Sequence, residues 1–200
     1  MGKHPKEIQA NPDKEEKMKR TKKEYVHVLT CDPSLTAFGW AIIAANSHIR
    51  NVVASGCIKT APVSKKLRIR KGDDRMRRVS EIVSELLRII DTYDVQHIVS
   101  ELPHGSQSAV AAIALGLVNG LVQAVADAKE ITIEWYSEQD AKRTVLNKNS
   151  CTKTEMINAI DSLFTVQWTG TKYKDEAVAD ALAIYYTAEK NSPIVKILAR

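Results

Sequence analysis

The chain of 200 residues, with 44% hydrophobic and 26% charged residues, is long enough to bury one full α/β core and leave a tail. Its three cysteines, Cys31, Cys57 and Cys151, are widely spaced and odd in number; they form neither a zinc pattern nor a disulfide framework, and point to a reducing cytoplasm. The net charge of +5 is uneven: residues 1–23 hold eight Lys/Arg against four Asp/Glu, and Lys59 to Arg78 holds nine basic residues against two acidic ones, so one face is expected to meet a polyanion rather than merely to be solvated.

Residues 1–23 lack aliphatic periodicity, carry two prolines and open on charge, which predicts a disordered basic tail and no secretory signal, followed by one domain over 24–200. Tyr25 to Cys31, Phe38 to Ala45 and Val52 to Lys59 read as three strands. The polar link Pro33-Ser34-Leu35-Thr36 is too short for a crossover, so the three form an antiparallel meander. Gly39, inside the second strand, marks either a close backbone approach or an ordinary bulge. Apolar residues at helical spacing (Met76, Val79, Ile82, Val83, Leu86, Leu87, Ile90) predict a helix over about 73–92, with Asp73 or Asp74 as its cap.

Gln96 to Ser100 is a fourth strand, residues 106–128 a small-residue helix and Thr132 to Tyr136 a fifth strand. The 106–128 run is apolar enough to raise a membrane span, but Asn119, Gln123 and Asp127 interrupt it and favour a buried helix of a soluble protein. Its Ala112, Gly116 and Gly120 form a smooth stripe, expected to pack on the sheet. Three helices close the chain, over about 138–146, 152–164 and 176–190. Right-handed crossovers place strand four beside strand one and strand five beyond it, a mixed five-stranded α/β sheet of order 3-2-1-4-5 flanked by helices.

Asp32 and Glu101 follow the first and fourth strands, and Asp180 lies near the start of the last helix. Carboxyl ends of neighbouring parallel strands lie about 4.8 Å apart at one sheet edge, the edge where open α/β sheets bind ligands. Three converging carboxylates suit a divalent metal and phosphoryl transfer. Mg²⁺ takes oxygen ligands in near-octahedral geometry and keeps several waters, so acids without His or Cys serve it.

The motif order resembles the RuvC-type Holliday junction resolvases of the ribonuclease H-like superfamily. The resemblance runs from about Tyr25 to Ala188, through Asp32-Pro33-Ser34, Gly39-Trp40-Ala41-Ile42, Ile98-Val99-Ser100-Glu101, Ala114-Leu115-Gly116 with Gly120, Ala141-Lys142-Arg143-Thr144-Val145, Thr152-Lys153-Thr154-Glu155 and Ala179-Asp180-Ala181-Leu182. It implies a ribonuclease H-like fold and a homodimeric endonuclease, with part of the Ala112, Gly116 and Gly120 helix in the dimer contact, that resolves Holliday junctions by paired nicks, using two Mg²⁺ ions per site, with Mn²⁺ as a substitute. It also implies branched DNA as partner and no membrane. Asp32, Glu101 and Asp180 match three of the family's four metal-binding acids.

The fourth match fails, because Ala177 stands where family members usually have an acid or His. Glu176, four residues before Asp180 and about 40° round the helix, is the expected substitute; Asp175, about 140° away, is expected to cap the helix. Lys153 and Lys142 match positions commonly basic in the family and would meet the scissile phosphate. His104 stands where family members often place an aromatic residue against DNA. Lys65, Lys66, Arg68, Arg70 and Lys71 are expected to contact phosphates. The rival readings are a related nuclease for other branched DNA or RNA, an inactive DNA-binding module, and an actin-like ATPase fold. The last lacks a second glycine-rich phosphate loop here, and the chain is short for two lobes.

Overall fold

A computed structural model of the chain describes residues 25–102, 105 and 108–198; the expected tail over 1–23 and His104 lie outside the described residues. The strands are β1 (Val26–Asp32), β2 (Ala37–Ala45), β3 (Arg50–Lys59), β4 (His97–Glu101) and β5 (Thr132–Tyr136). Short links make β1–β2 and β2–β3 antiparallel, whereas β1–β4 and β4–β5 are parallel, with one helix between β3 and β4 and another between β4 and β5. The order is β3-β2-β1-β4-β5, as the chain pattern predicts. The helices are α1 (Lys71–Tyr93), α2 (Ala109–Ala128), α3 (Glu138–Leu146), α4 (Lys153–Leu163), α5 (Lys172–Asn191) and α6 (Pro193–Leu198).

Alternation along the strands divides the core in two. Leu29, Cys31, Phe38 and Ile42 face α1 and α2, where Ile82, Leu86 and Val122 complete one cluster. Val28, Ala41, Ile43 and Val99 face the other way, onto Met156 and Ile160 of α4 and Val178, Leu182 and Tyr185 of α5. Each fully buried Leu or Ile contributes roughly 1.5–3 kcal/mol. The helix α5 is buried along most of its length, and its run of alanines lets it lie close to the sheet. Gly39 supplies the other half of that contact, since a Cβ there would meet the Ala177 carbonyl oxygen at 2.1 Å. Gly39 therefore marks close approach; the register shift in β2 comes later, between Ile42 and Ile43. Gly39→Ala would push α5 off the sheet.

Several sequence expectations need correcting. The α1 helix starts at Lys71 with Arg70 at its cap and no side-chain cap bond. Asp73 pairs with Arg70 instead, while Asp74 accepts from the Val63 backbone N–H and from Arg77. The α5 helix starts at Lys172, a turn earlier than predicted, so Asp175 lies within its first turn and is not its cap. The Asp175 carboxylate reaches back to the Thr169 N–H at 2.9 Å and hydroxyl at 2.8 Å, fastening the preceding loop. The stripe of Ala112, Gly116 and Gly120 does not pack on the sheet: all three are exposed, and open space surrounds both glycines. Only the second half of α2 is buried, through Val118, Leu121, Val122, Val125 and Ala126, because the helix leans onto α1 at that end. The short α6, which periodicity over six residues is too brief to reveal, begins with Pro193 after Ser192.

Candidate active site

Strand register assembles the site. Cys31 pairs with Ser100 across the parallel β1–β4 ladder, so Asp32 and Glu101, one residue further on, end neighbouring strands side by side. Both share a face with Thr30, whose hydroxyl donates to the Ala181 carbonyl of α5 at 2.5 Å. That bond and the Gly39–Ala177 contact seat the first half of α5 over the strand ends and bring Asp180 to the same point. Gly39 is itself the register partner of Asp32.

The electrostatics are those of like charges forced together. Burial, then the charges of Glu101 and Asp180, hold the Asp32 carboxyl well above the usual carboxylate range. Glu101 is pushed up to about 7 by burial and by Asp180 and Glu138, against the lowering pull of Lys153 and Lys142. Asp180 is raised by burial, with Lys153 opposing and Glu138 and Glu176 adding to the rise. Lys153, at the first position of α4, donates to Asp180 Oδ2 at 2.5 Å. Burial lowers its ammonium, but the carboxylates of Asp180, Asp32 and Glu138 outweigh that and raise it. Thr152 caps α4 in a reciprocal box with Glu155, which fixes where the helix and its lysine begin.

A cleft of about 30 Å³, room for roughly one water, opens between Glu101, Glu138, Lys142, Lys153 and Asp180. Glu138 is the residue that the sequence reading missed. It lies two residues beyond Tyr136, the register partner of Glu101, and pairs with Lys142 at 2.6 Å. The rule that found Asp32 and Glu101, an acid just after a parallel strand, applies equally to β5. Glu176 sits one turn before Asp180, 4.0 Å from Lys172, and is partly buried.

The basic segment is divided. Lys66, Arg68, Arg70 and Lys71 are exposed, and the backbone of Lys65 lies in a 3₁₀ turn. Arg78 turns inward and is buried, whereas Arg77 stays at the surface and binds Asp74, Glu81 and the Ala61 carbonyl.

Three half-buried acids face one ammonium bonded to Asp180, with Lys142 farther off, an arrangement short of positive charge; their oxygen donors fit a hard divalent cation. Among the described residues no three His, Cys, Asp or Glu side chains form a ready metal cage, and Lys153 occupies Asp180.

Comparisons with known proteins agree with this geometry. Residues 28–188 match the family model described as crossover junction endodeoxyribonuclease RuvC. The RuvC of Rickettsia bellii (strain OSU 85-389) is 29% identical over 160 residues, covering 80% of this chain and 94% of that protein. That of Ehrlichia canis (strain Jake) is 22% identical over 162 residues, covering 81% and 97%. The fold is similar to that of Thermus thermophilus RuvC solved with a Holliday junction substrate, with TM-score 0.68, 18% identity and 86% and 97% of the two chains covered. The yeast mitochondrial Holliday junction resolvase Ydc2 aligns with TM-score 0.55 and 13% identity over 81% and 78%.

Proposed function

The chain belongs to the RuvC family of crossover junction endodeoxyribonucleases, and on that premise we propose that it is a metal-dependent endonuclease that resolves Holliday junctions by paired nicks. The observation that carries this is the convergence of Asp32, Glu101 and Asp180 at one sheet edge, with too little positive charge to balance them. Asp32, Glu101 and Asp180 would hold two divalent ions, Mg²⁺ or Mn²⁺, which when bound make a water nucleophilic near neutral pH and offset charge on the leaving oxygen.

The protein's own groups do the rest. The strand ends fix Asp32 and Glu101 without loop motion, and α5 fixes Asp180, so the acids are organised before substrate arrives. Lys153 balances Asp180 in the free protein and offers its ammonium to the scissile phosphate. Lys142 lines the same cleft. Lys65, Lys66, Arg68, Arg70 and Lys71, together with His104 and the basic tail, would meet the DNA arms. A four-way junction has two symmetry-related strands to cut, and a two-fold homodimer supplies two matched sites. The outward stripe of Ala112, Gly116 and Gly120, with exposed Val110 and Ile113 beside it, is the surface we assign to that contact.

The test is cleavage of a synthetic four-way junction beside flap, duplex and RNA–DNA hybrid substrates. Paired symmetric nicks on the junction, dependent on Mg²⁺ or Mn²⁺ and stopped by chelator, are expected. Preferential cutting of flaps or hybrids would move the chain to another branched or RNA-containing substrate, and no cutting at all would make it a binding module.

A further inference from the structure

We propose that Glu138, from the start of α3, is a fourth carboxylate of this metal site, taking the place of the acid absent at Ala177 and paired with Lys142 until a cation enters. The inference rests on the metal-dependent reading above. Ala177 offers no ligating side chain; it is 5% exposed, and its carbonyl and methyl lie against Gly39.

Glu138 approaches from the other side. The β4–β5 register sets Glu101 beside Tyr136, and the Leu102 N–H bonds the Tyr136 carbonyl at 2.8 Å, so the two strand ends leave the sheet together. Ser137 then caps α3 in a box with Asp140, which fixes Glu138 as its first residue at that edge. Its side chain lines the cleft with Glu101, Asp180 and Lys153, whereas Glu176 does not.

The state of the side chain suits a ligand drawn in by a cation. Glu138 is 51% exposed while its partner Lys142 is 21% exposed, so the carboxylate stands at the open side of the cleft with the lysine deeper. Two divalent cations bring four positive charges, and a fourth carboxylate beside Asp32, Glu101 and Asp180 balances them. An acid in the first turn with a lysine one turn later also favours the helix, so a purely structural role is the alternative the test must separate.

Isothermal titration of the full chain with MnCl₂, without DNA, makes the separation. Glu138→Gln should weaken Mn²⁺ binding tenfold or more, or remove one binding step, while melting no lower than the unsubstituted protein in chelator. Glu138→Asp, which keeps the charge and shortens the reach, should fall between them. Glu176→Gln should stay within twofold. Unchanged Mn²⁺ affinity in Glu138→Gln, a lowered melting temperature with no change in affinity, or a larger loss in Glu176→Gln would overturn the proposal. Asp32→Asn distinguishes the wider reading: its loss of Mn²⁺ binding upholds the metal site even if Glu138 proves silent, and its retention would sink both.

Discussion

Two buried charged regions meet at the β1–β2 loop and are built on opposite terms. On one side, the buried guanidinium of Arg78 donates to the Thr60 hydroxyl at 2.7 Å, the Leu35 carbonyl at 3.0 Å and the Thr36 hydroxyl at 2.9 Å. The Thr60 hydroxyl in turn donates to the Leu35 carbonyl. On the other, Asp32 meets Glu101 and Asp180, and burial adds to their mutual repulsion. A buried charge answered by hydrogen bonds holds the fold together; buried charges set against each other are held by the fold and lower their energy only with a cation. The first region is structural, and the second is where chemistry is expected.

The largest expected effect breaks the acidic side. Asp32→Asn, Glu101→Gln and Asp180→Asn should each cut junction cleavage by more than the roughly 10–100-fold typical of outer-shell partners of a metal, with junction binding largely kept. Substantial cleavage by any one of them, measured in single turnover, removes that residue from the site.

The next test sharpens the difference between inward and outward cations of the basic segment. Replacing Lys66, Arg68, Arg70 and Lys71 by Gln should weaken junction binding and flatten its salt dependence, since each lost phosphate contact removes a slope of about 0.9 in log–log form. A slope equal to that of the unsubstituted protein would turn this edge away from DNA.

Arg78→Met tests the structural side. It removes the charge-assisted hydrogen bonds to the Thr60 and Thr36 hydroxyls and to the Leu35 carbonyl, which keeps only its bond from the Thr60 hydroxyl; such bonds contribute about 1.5–3 kcal/mol, and each kcal/mol is about 2–4 °C in melting temperature for a domain of this size. Cleavage by the folded fraction should persist. Unaltered melting would deny Arg78 its structural part.

The last effect is a pH slope. Glu101 is raised from 4.5 to about 7 in the folded protein, so the folded state holds that proton more tightly than the unfolded chain. Its contribution is full below about 4.5 and is lost as pH rises through about 7. Asp32 and Asp180, also raised, act with the same sign. Metal-free protein should therefore melt at lower temperature at pH 8 than at pH 5, and divalent metal should restore most at pH 8. Melting that rises with pH in chelator would mean that the acids are satisfied within the free protein, erasing the contrast with Arg78.

What the sequence alone determined is the part written in local pattern and chain order. Period-two runs and short polar links define the meander, helical spacing defines the crossovers, and handedness then orders the sheet as 3-2-1-4-5. Asp32 and Glu101 were legible because an acid closing a parallel strand has only one edge to occupy. Tertiary structure decided the rest. Arg78 reads as one more cation of a basic run until the β1–β2 loop is seen to fold over it. The stripe of Ala112, Gly116 and Gly120 shows a smooth helix face but not which way it turns. Asp175 looks like a cap until α5 proves to begin a turn earlier. Ala177 reads as a missing ligand, while Glu138 stands 42 positions from Asp180 in sequence and lines the same cleft in space. Periodicity records which residues are apolar and how the chain is locally wound; which distant segments share a few ångströms is set by packing, and that is where this site was made.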